Sequence, residues 1–548
     1  MTDIAPADIV ADAGIMPPVS IDVTLEPHAI LNITDAINAD AIPQTYVRNG
    51  RLVTISEVSG DVLADQPHAV PLRVAEITAD GLRRLLARHT DTHKIVRKKD
   101  RKTGEEQIGT VPVSPAVSTA KAVLSETHWP KVRPLLNVVH APVFRPDGTI
   151  LQDPGYDEAT RLYYAPIRNV PRVPDVPDVV DVDKARRFLL NYVLGDMPWA
   201  DGASCANFVG LLMTPMLRPF IKGLSPLGAI DARAPGSGKT LLTDIVGHLY
   251  GATSRSWVSD DGELRKAITA TLQGTSEPVV VLDNVGERDQ VDQPTLAKLL
   301  TGATWNDREL GSSRQVDALN DRLWLVTGNN ISFGGDIPSR TVLVSLDPKV
   351  PDPDKRSGFR IPDLNTWLED EANQVELLYH LLVLARAWVV AGAPAADRTM
   401  RNFRRWARAM AGFTQYHEIP GFMTNTDALA GHDEEGAIWS AFLAAWHDEF
   451  NDTPKRASEL LKTSELQPTS SGFHDPWDGA FLTRADGGRL TSKGLGAMLK
   501  SKMGRFFGEY VIRGIYDKKK KVWRFHVDRV ERREAAVDGG EGGAHDRA

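Results

Sequence analysis

Four short apolar runs punctuate the middle of the chain: Leu227-Gly228-Ala229-Ile230, Val279-Val280-Val281-Leu282, Leu323-Trp324-Leu325-Val326 and Thr341-Val342-Leu343-Val344-Ser345-Leu346. Unbroken runs of this length are what strands covered on both faces require, and helical spacing recurs between them, as at Ile245, Val246 and Leu249. Strands alternating with helices from Pro226 to Pro348 predict a parallel sheet with crossover helices. Helical patterns precede it at Lys184 to Leu194 and Ala203 to Leu217, and follow it to about Met423. Residues 21-170 mix strand-like and helical runs, among them Leu82, Leu85 and Leu86 behind a cap at Thr78, which reads as an α+β domain. Between that domain and the sheet, Pro171, Pro174 and Pro177 alternate with Val and Asp, a composition that cannot close a core; 171-183 reads as a linker and a domain boundary.

A last module is predicted over 434-533. Ile438, Phe442, Trp446 and Phe450 recur at helical spacing and make one inward apolar face. A second helix follows around Ser458 to Leu461, and a third, after Thr491-Ser492, turns Leu495, Met498 and Leu499 inward. Two strands, Tyr510 to Arg513 and Val522 to Val527, flank a turn and make a hairpin. The ends, 1-20 and 534-548, read as disordered.

Composition narrows the setting. At 548 residues the chain is long enough for three or four domains. A single cysteine, Cys205, permits no intrachain disulfide and no cysteine-based zinc cluster, so a reducing cytoplasm, that of a bacterial host, is the expected compartment. Neither a signal peptide nor a membrane span is expected: the first residues lack a basic region followed by an apolar run, and Arg386 interrupts the stretch from His380 to Val390.

The net charge of -8 is unevenly spread. From Arg484 to Arg533 there are 15 Lys and Arg against 5 Asp and Glu, a local +10 that leaves -18 for the rest. Lys493, Lys500, Lys502 and Arg505 are available on and just after the third helix, and Lys518, Lys519, Lys520 and Lys521 sit at the hairpin tip. Helices followed by a basic hairpin resemble a winged-helix DNA-binding domain, which implies DNA as a partner through these lysines and Arg505. The other charged stretch, Lys94 to Glu106, reads as a solvated hairpin tip.

The chemistry concentrates after the first apolar run. Ala234-Pro235-Gly236-Ser237-Gly238-Lys239-Thr240-Leu241 gives strand, glycine turn, then helix. Glycines let backbone N–H groups curl around phosphates, the helix N-terminus adds its dipole, Lys239 supplies a point charge and Thr240 a hydroxyl for Mg²⁺. This pattern predicts the phosphate-binding loop of a P-loop nucleotide triphosphatase, with ATP and Mg²⁺ as the expected cofactors. Arg233 stands where the pattern expects its first glycine, so the loop's first turn must be built differently. The second run ends in Asp283, placed to hold the metal. Asn284 follows, able to orient a water but not to take its proton; Glu287, one turn on, is a possible substitute base or an exposed loop residue. The third run leads to Asn329 and Asn330, amides that can sense a γ-phosphate, and Arg340 precedes the fourth, placed to reach a neighbouring subunit's nucleotide.

From Pro226 to Pro348 this set resembles the AAA+ ATPase core, and more narrowly the superfamily 3 and poxvirus primase-helicase ATPases that phages, prophages and plasmids encode. The resemblance implies Lys239 and Thr240 for phosphate and metal, Asp283 for metal, Asn329 or Asn330 as sensor and Arg340 as a trans-acting arginine finger. It further implies a homo-oligomeric ring, commonly of six subunits, threading single-stranded DNA, with Trp305 to Gly311 as a DNA-facing loop. Arg233 and Asn284 depart from the commonest AAA+ pattern. The fold expected is therefore α/β: a P-loop, AAA+-like core (184-348), a helical lid (349-425), the N-terminal α+β domain and the C-terminal winged helix. In the lid, Arg404 or Arg405 is either a second sensor or an exposed helix residue. The function expected is that of an ATP-dependent DNA helicase or translocase of a mobile element, acting in replication. Two alternatives stay open: a DNA-binding ATP switch that unwinds nothing, an origin initiator or defence NTPase, favoured by Asn284; and a primase-helicase, for which no cluster of paired acids with His is found in the N-terminal domain.

Overall fold

Valine, leucine and isoleucine set side by side in a strand can all be buried only where the strand is covered above and below, and the central sheet meets that condition. In the computed structural model of the chain it has five strands: β1 (Leu227–Ala232), β2 (Ala252–Ser256), β3 (Val279–Val285), β4 (Leu323–Asn329) and β5 (Thr341–Leu346). Their order across the sheet is β2-β3-β4-β1-β5, every pair parallel. All six residues of β1 are buried. Each such Val, Leu or Ile contributes roughly 1.5–3 kcal/mol relative to exposure. The residues described are 19–65, 68–99, 106–287, 289–308, 315–350, 352–426, 434–464, 467–469, 472–483, 490–518 and 521–530.

The chain forms two compact units, Met1–Asp427 and Ala428–Ala548. Within the first, the N-terminal strands and helices pack on the sheet rather than standing off it. Val74 N–H donates to Ser276 Oγ at 3.0 Å, and Asn137 Nδ2 donates to the Ser276 carbonyl at 3.0 Å. The helix after β1, α1 (Lys239–Tyr250), is gripped at its far end. Arg168 donates to the carbonyls of His248 and Leu249, a cation where the helix dipole is negative. His68 lies 3.0 Å from Asp244, its ring pressed against Gly247, where a Cβ would come within 2.6 Å.

Three readings change. Residues 179–183 are not linker: Asp178 caps a helix over Val179–Arg187, its carboxylate accepting from Asp181 N–H while Asp181 reciprocates. That helix runs on as a π-helical turn, Phe188–Val193. The helix predicted to stop at Leu217 continues to Ile221 despite Pro215 and Pro219, its final turn capped by Lys222.

The second unit holds helices Glu434–Phe450, Ala457–Thr463 and Ser492–Ser501, and an antiparallel sheet of Phe506–Phe507, Tyr510–Asp517 and Val522–Arg529. Phe442 and Trp446 are buried as expected, but Ile438 is 49% exposed and Trp439 takes its place inside, stacked on Phe507. Trp477 closes the core, its ring parallel to that of Phe442 at 5.0 Å. Among the described residues no helix is long and apolar enough to cross a membrane.

Candidate functional site

The C-terminal edge of the sheet gathers most of the residues singled out above. β1 ends at Ala232, the chain turns through Arg233–Gly238, and α1 begins at Lys239. Gly236 (φ 72°) and Gly238 (φ 94°) adopt left-handed conformations that cost other residues dearly. Gly238 is the N-cap and offers no side chain to the first helical N–H groups, which stay available to an anion. Ser237 Oγ donates to the Ala234 carbonyl at 2.6 Å and closes the loop from inside. Pro235, Gly236 and Thr240 are exposed, and Leu241 is half-buried against the loop. Arg233, in the unexpected position, pairs with Asp347 just beyond β5 at 3.2 Å. That ion pair, its arginine in solvent and its aspartate largely buried, bridges the first turn where a glycine was expected.

Lys239 reaches across to β4, its ammonium donating to Asn329 Oδ1. Burial lowers its pKa, opposed by the carboxylates of Asp231 and Asp283. Asn329 rather than Asn330 thus faces the lysine. Asn330 lies exposed in a left-handed turn (φ 51°), its N–H bonded to the Ala232 carbonyl at 3.1 Å. Asp231 escaped the reading of the sequence; it is buried within β1 and accepts the Ile331 N–H at 2.9 Å, tying the end of β4 to the strand that feeds the loop.

Asp283 and Asn284 occupy a bulge of β3, where the register with β4 shifts between Leu282 and Val285. Thr327 of β4, also missed, organises both. Its hydroxyl donates to Asp283 Oδ1 at 2.6 Å and accepts the Asn284 N–H at 3.0 Å, holding Asn284 left-handed (φ 64°). Thr327→Val keeps the shape and leaves the carboxylate and the amide without this partner. We expect turnover to fall about 10-fold or more, from loss of a charge-assisted bond of ~1.5–3 kcal/mol, and Thr327→Ser to restore it. Wild-type rates with valine would sink this assignment. Glu287 is exposed in the turn beyond the bulge, and no bond among the described residues joins it to the others.

Arg340 stands at the opposite edge. Thr341 pairs with Leu227 at the start of β1, so Arg340 precedes the end of the sheet remote from its own chain's glycine loop. Its guanidinium donates to the Ala297 carbonyl at 2.5 Å and pairs with Asp336 at 3.2 Å, while the buried Nε has no partner.

The segment read as a DNA-facing loop is one strand of a hairpin, Thr304–Arg308 against Gln315–Leu319, whose tip lies outside the described residues. Trp305 is buried and donates to Thr269 Oγ1 at 2.9 Å; Asp307 pairs with Arg265 at 3.6 Å and accepts the Arg308 N–H at 2.8 Å. Arg404 and Arg405 are exposed.

Next to the glycine loop a cavity of about 250 Å³ opens between Tyr192–Pro198 and the segment after β5. In the second unit Lys493 and Lys500 are exposed, Lys500 lying over Trp523 at 5.3 Å and Arg505 over Phe507 at 4.9 Å; Lys502 is partly buried. Lys518 and Lys521 are exposed at the hairpin end, and Lys519 and Lys520 lie outside the described residues.

Neither a protein-family profile nor a curated protein matches the chain. One solved structure to which it is similar is a JCV helicase bound to a thiazolopyridine acetamide compound, 13% identical, with 46% of this chain aligned to 73% of that one at a TM-score of 0.21. A likeness that slight transfers nothing to the site.

Proposed function

We propose that this chain is a nucleotide triphosphatase of the P-loop class that drives a DNA helicase or translocase in the replication of a phage or other mobile element. The observation that carries the reading is the convergence at one sheet edge: open helical N–H groups behind Gly238, the Lys239 ammonium held by Asn329, and the Asp283 carboxylate oriented by Thr327. Positive groups fixed in advance around a concave loop suit a polyphosphate, because they need no reorganisation when its charge shifts in the transition state.

Thr240 and Asp283 are hard oxygen donors of the kind Mg²⁺ takes when phosphate and water complete its shell. Bound there, Mg²⁺ would neutralise charge on the β- and γ-phosphates. Lys239 would bind those phosphates and Asn329 would orient against the γ-phosphate. Arg340, turned away from its own loop, would complete the site of the next subunit in a ring of this chain. The second unit reads as a winged helix that meets DNA phosphates through Lys493, Lys500, Lys502, Arg505 and the lysines of its hairpin.

The second reading, a DNA-binding ATP switch, is favoured by Asn284, which leaves no carboxylate beside Asp283 to take a proton from water. Turnover of ATP with and without single-stranded DNA, together with opening of a forked duplex, decides between them. DNA-stimulated hydrolysis with strand separation is the expected result. Binding of ATP without either would leave the switch.

A further inference from the structure

We propose that the cavity beside the glycine loop takes the base of a purine nucleotide by ring area rather than by reading its hydrogen-bonding edge, so that the chain binds GTP as well as ATP. This rests on the nucleotide reading above and extends it to base selectivity.

The cavity has two walls. One is the π-helical turn and the residues after it, to Pro198; the other is the segment from Pro353 to Asn365. π-helical turns are rare and concentrate at functional sites, and this one carries Tyr192 and Val193 to the cavity. Met197, Phe359 and Ile361 offer the apolar surface on which a flat ring would lie.

The carboxylates that could read a base edge already accept hydrogen bonds from Arg360 and Thr366. Both carboxylate oxygens of Asp196 accept from Arg360, one from its backbone N–H at 2.6 Å and the other from its guanidinium at 3.0 Å, and the Asp196 carbonyl accepts from Arg356 at 2.9 Å. Thr366 occupies both oxygens of Asp363, at 3.2 and 2.8 Å. The carbonyls of Met197 and Pro198 accept the N–H groups of Trp199 and Asp347 at 2.9 and 2.7 Å. Pro198, Pro353 and Pro362 bring no N–H at all.

Among the described residues, the uncommitted side-chain groups of the wall are the Tyr192 hydroxyl, the Asn365 amide and the remaining N–H groups of Arg356, whose guanidinium lies 5.1 Å over Phe359. A hydroxyl and an amide each donate or accept as needed, so they satisfy the amino group of adenine or the carbonyl of guanine alike, and the Arg356 N–H groups, which only donate, find in N7 an acceptor that both purines carry. Sites built to bond one particular group reject the wrong ligand by about 10⁴–10⁵-fold, whereas apolar ones discriminate by only about 10–200-fold.

Calorimetric titration of the full chain with ATP, GTP and CTP, each with Mg²⁺, tests this. Affinities for ATP and GTP should agree within about 200-fold, the limit for a site that reads shape, with CTP weaker than both because its ring is smaller. Phe359→Ala should weaken ATP and GTP by similar factors. A wider preference for either purine, CTP binding as tightly as ATP, or unchanged purine affinities in Phe359→Ala would each overturn the inference while leaving the nucleotide reading intact. If none of the three binds, the nucleotide reading falls and takes this one with it.

Discussion

Lys239→Ala should lower ATP hydrolysis by at least about 10²–10³-fold, the loss typical of deleting one preorganised donor aimed at developing charge. The lysine is half-buried, so its charge acts in a medium of lower effective dielectric than water. Deleting it also leaves Asn329 without its bond to the ammonium and removes a positive charge that the buried Asp231 acts on. The helix itself should survive. Leu242, Ile245, Val246 and Leu249 hold α1 in the core, and none of them touches the chemistry. An unfolding midpoint close to wild type, measured beside the rate, separates lost catalysis from lost fold. A variant that retained a tenth of normal turnover would remove the central assignment.

Arg340→Ala should cost about 10³–10⁵-fold in turnover, as loss of an arginine finger does, while nucleotide binding persists. The reason lies in the parallel register. Arg340 precedes the first residue of β5 and the glycine loop follows the last residue of β1, so the two are separated by the length of the strand, roughly 16–20 Å at 3.3 Å per residue. No arginine spans that, so a role for Arg340 at a nucleotide requires a neighbour's loop. The distinguishing measurement is complementation. Lys239→Ala subunits keep a working Arg340, and Arg340→Ala subunits keep a working loop; mixing two nearly inert preparations should restore turnover. To serve a neighbour, Arg340 must exchange Ala297 and Asp336 for the nucleotide, so some rearrangement on assembly is expected. A mixture as inert as its components, with mixed assemblies shown to form, would rule out action in trans.

Much of the sheet can be read from the chain because burial on both faces demands continuous apolar runs. β1, β3, β4 and β5 are each such a run. β2 is not: Ala252-Thr253-Ser254-Arg255-Ser256 has no apolar pattern, and it is a strand because the edge of β3 supplies hydrogen-bonding partners along its length. The second unit repeats the lesson at one helix. Spacing alone admits Ile438 or Trp439 to the inner face, and the ring of Phe507, packed from another element, selects the tryptophan. The proline-rich stretch was read too far because a reciprocal cap at Asp178 and Asp181 starts a helix inside it.

At the candidate site the local elements follow from local chemistry. Glycines at 236 and 238 accept left-handed turns, and Lys239 and Thr240 open a helix whose apolar spacing buries its far side. By itself the sequence therefore determined the loop, the helix behind it, the buried runs and the basic character of the last module. These depend on conformational preference, periodicity and charge, all properties of neighbours in the chain. Tertiary structure decided which groups meet: Asn329 rather than Asn330 on Lys239, Thr327 on Asp283, Asp231 beneath them, Arg340 at the far edge, and a cavity walled by residues some 160 positions apart in the chain, as Asp196 and Arg356 are. Those are matters of strand order and register, set by the packing of the whole sheet, and no short stretch of sequence carries them.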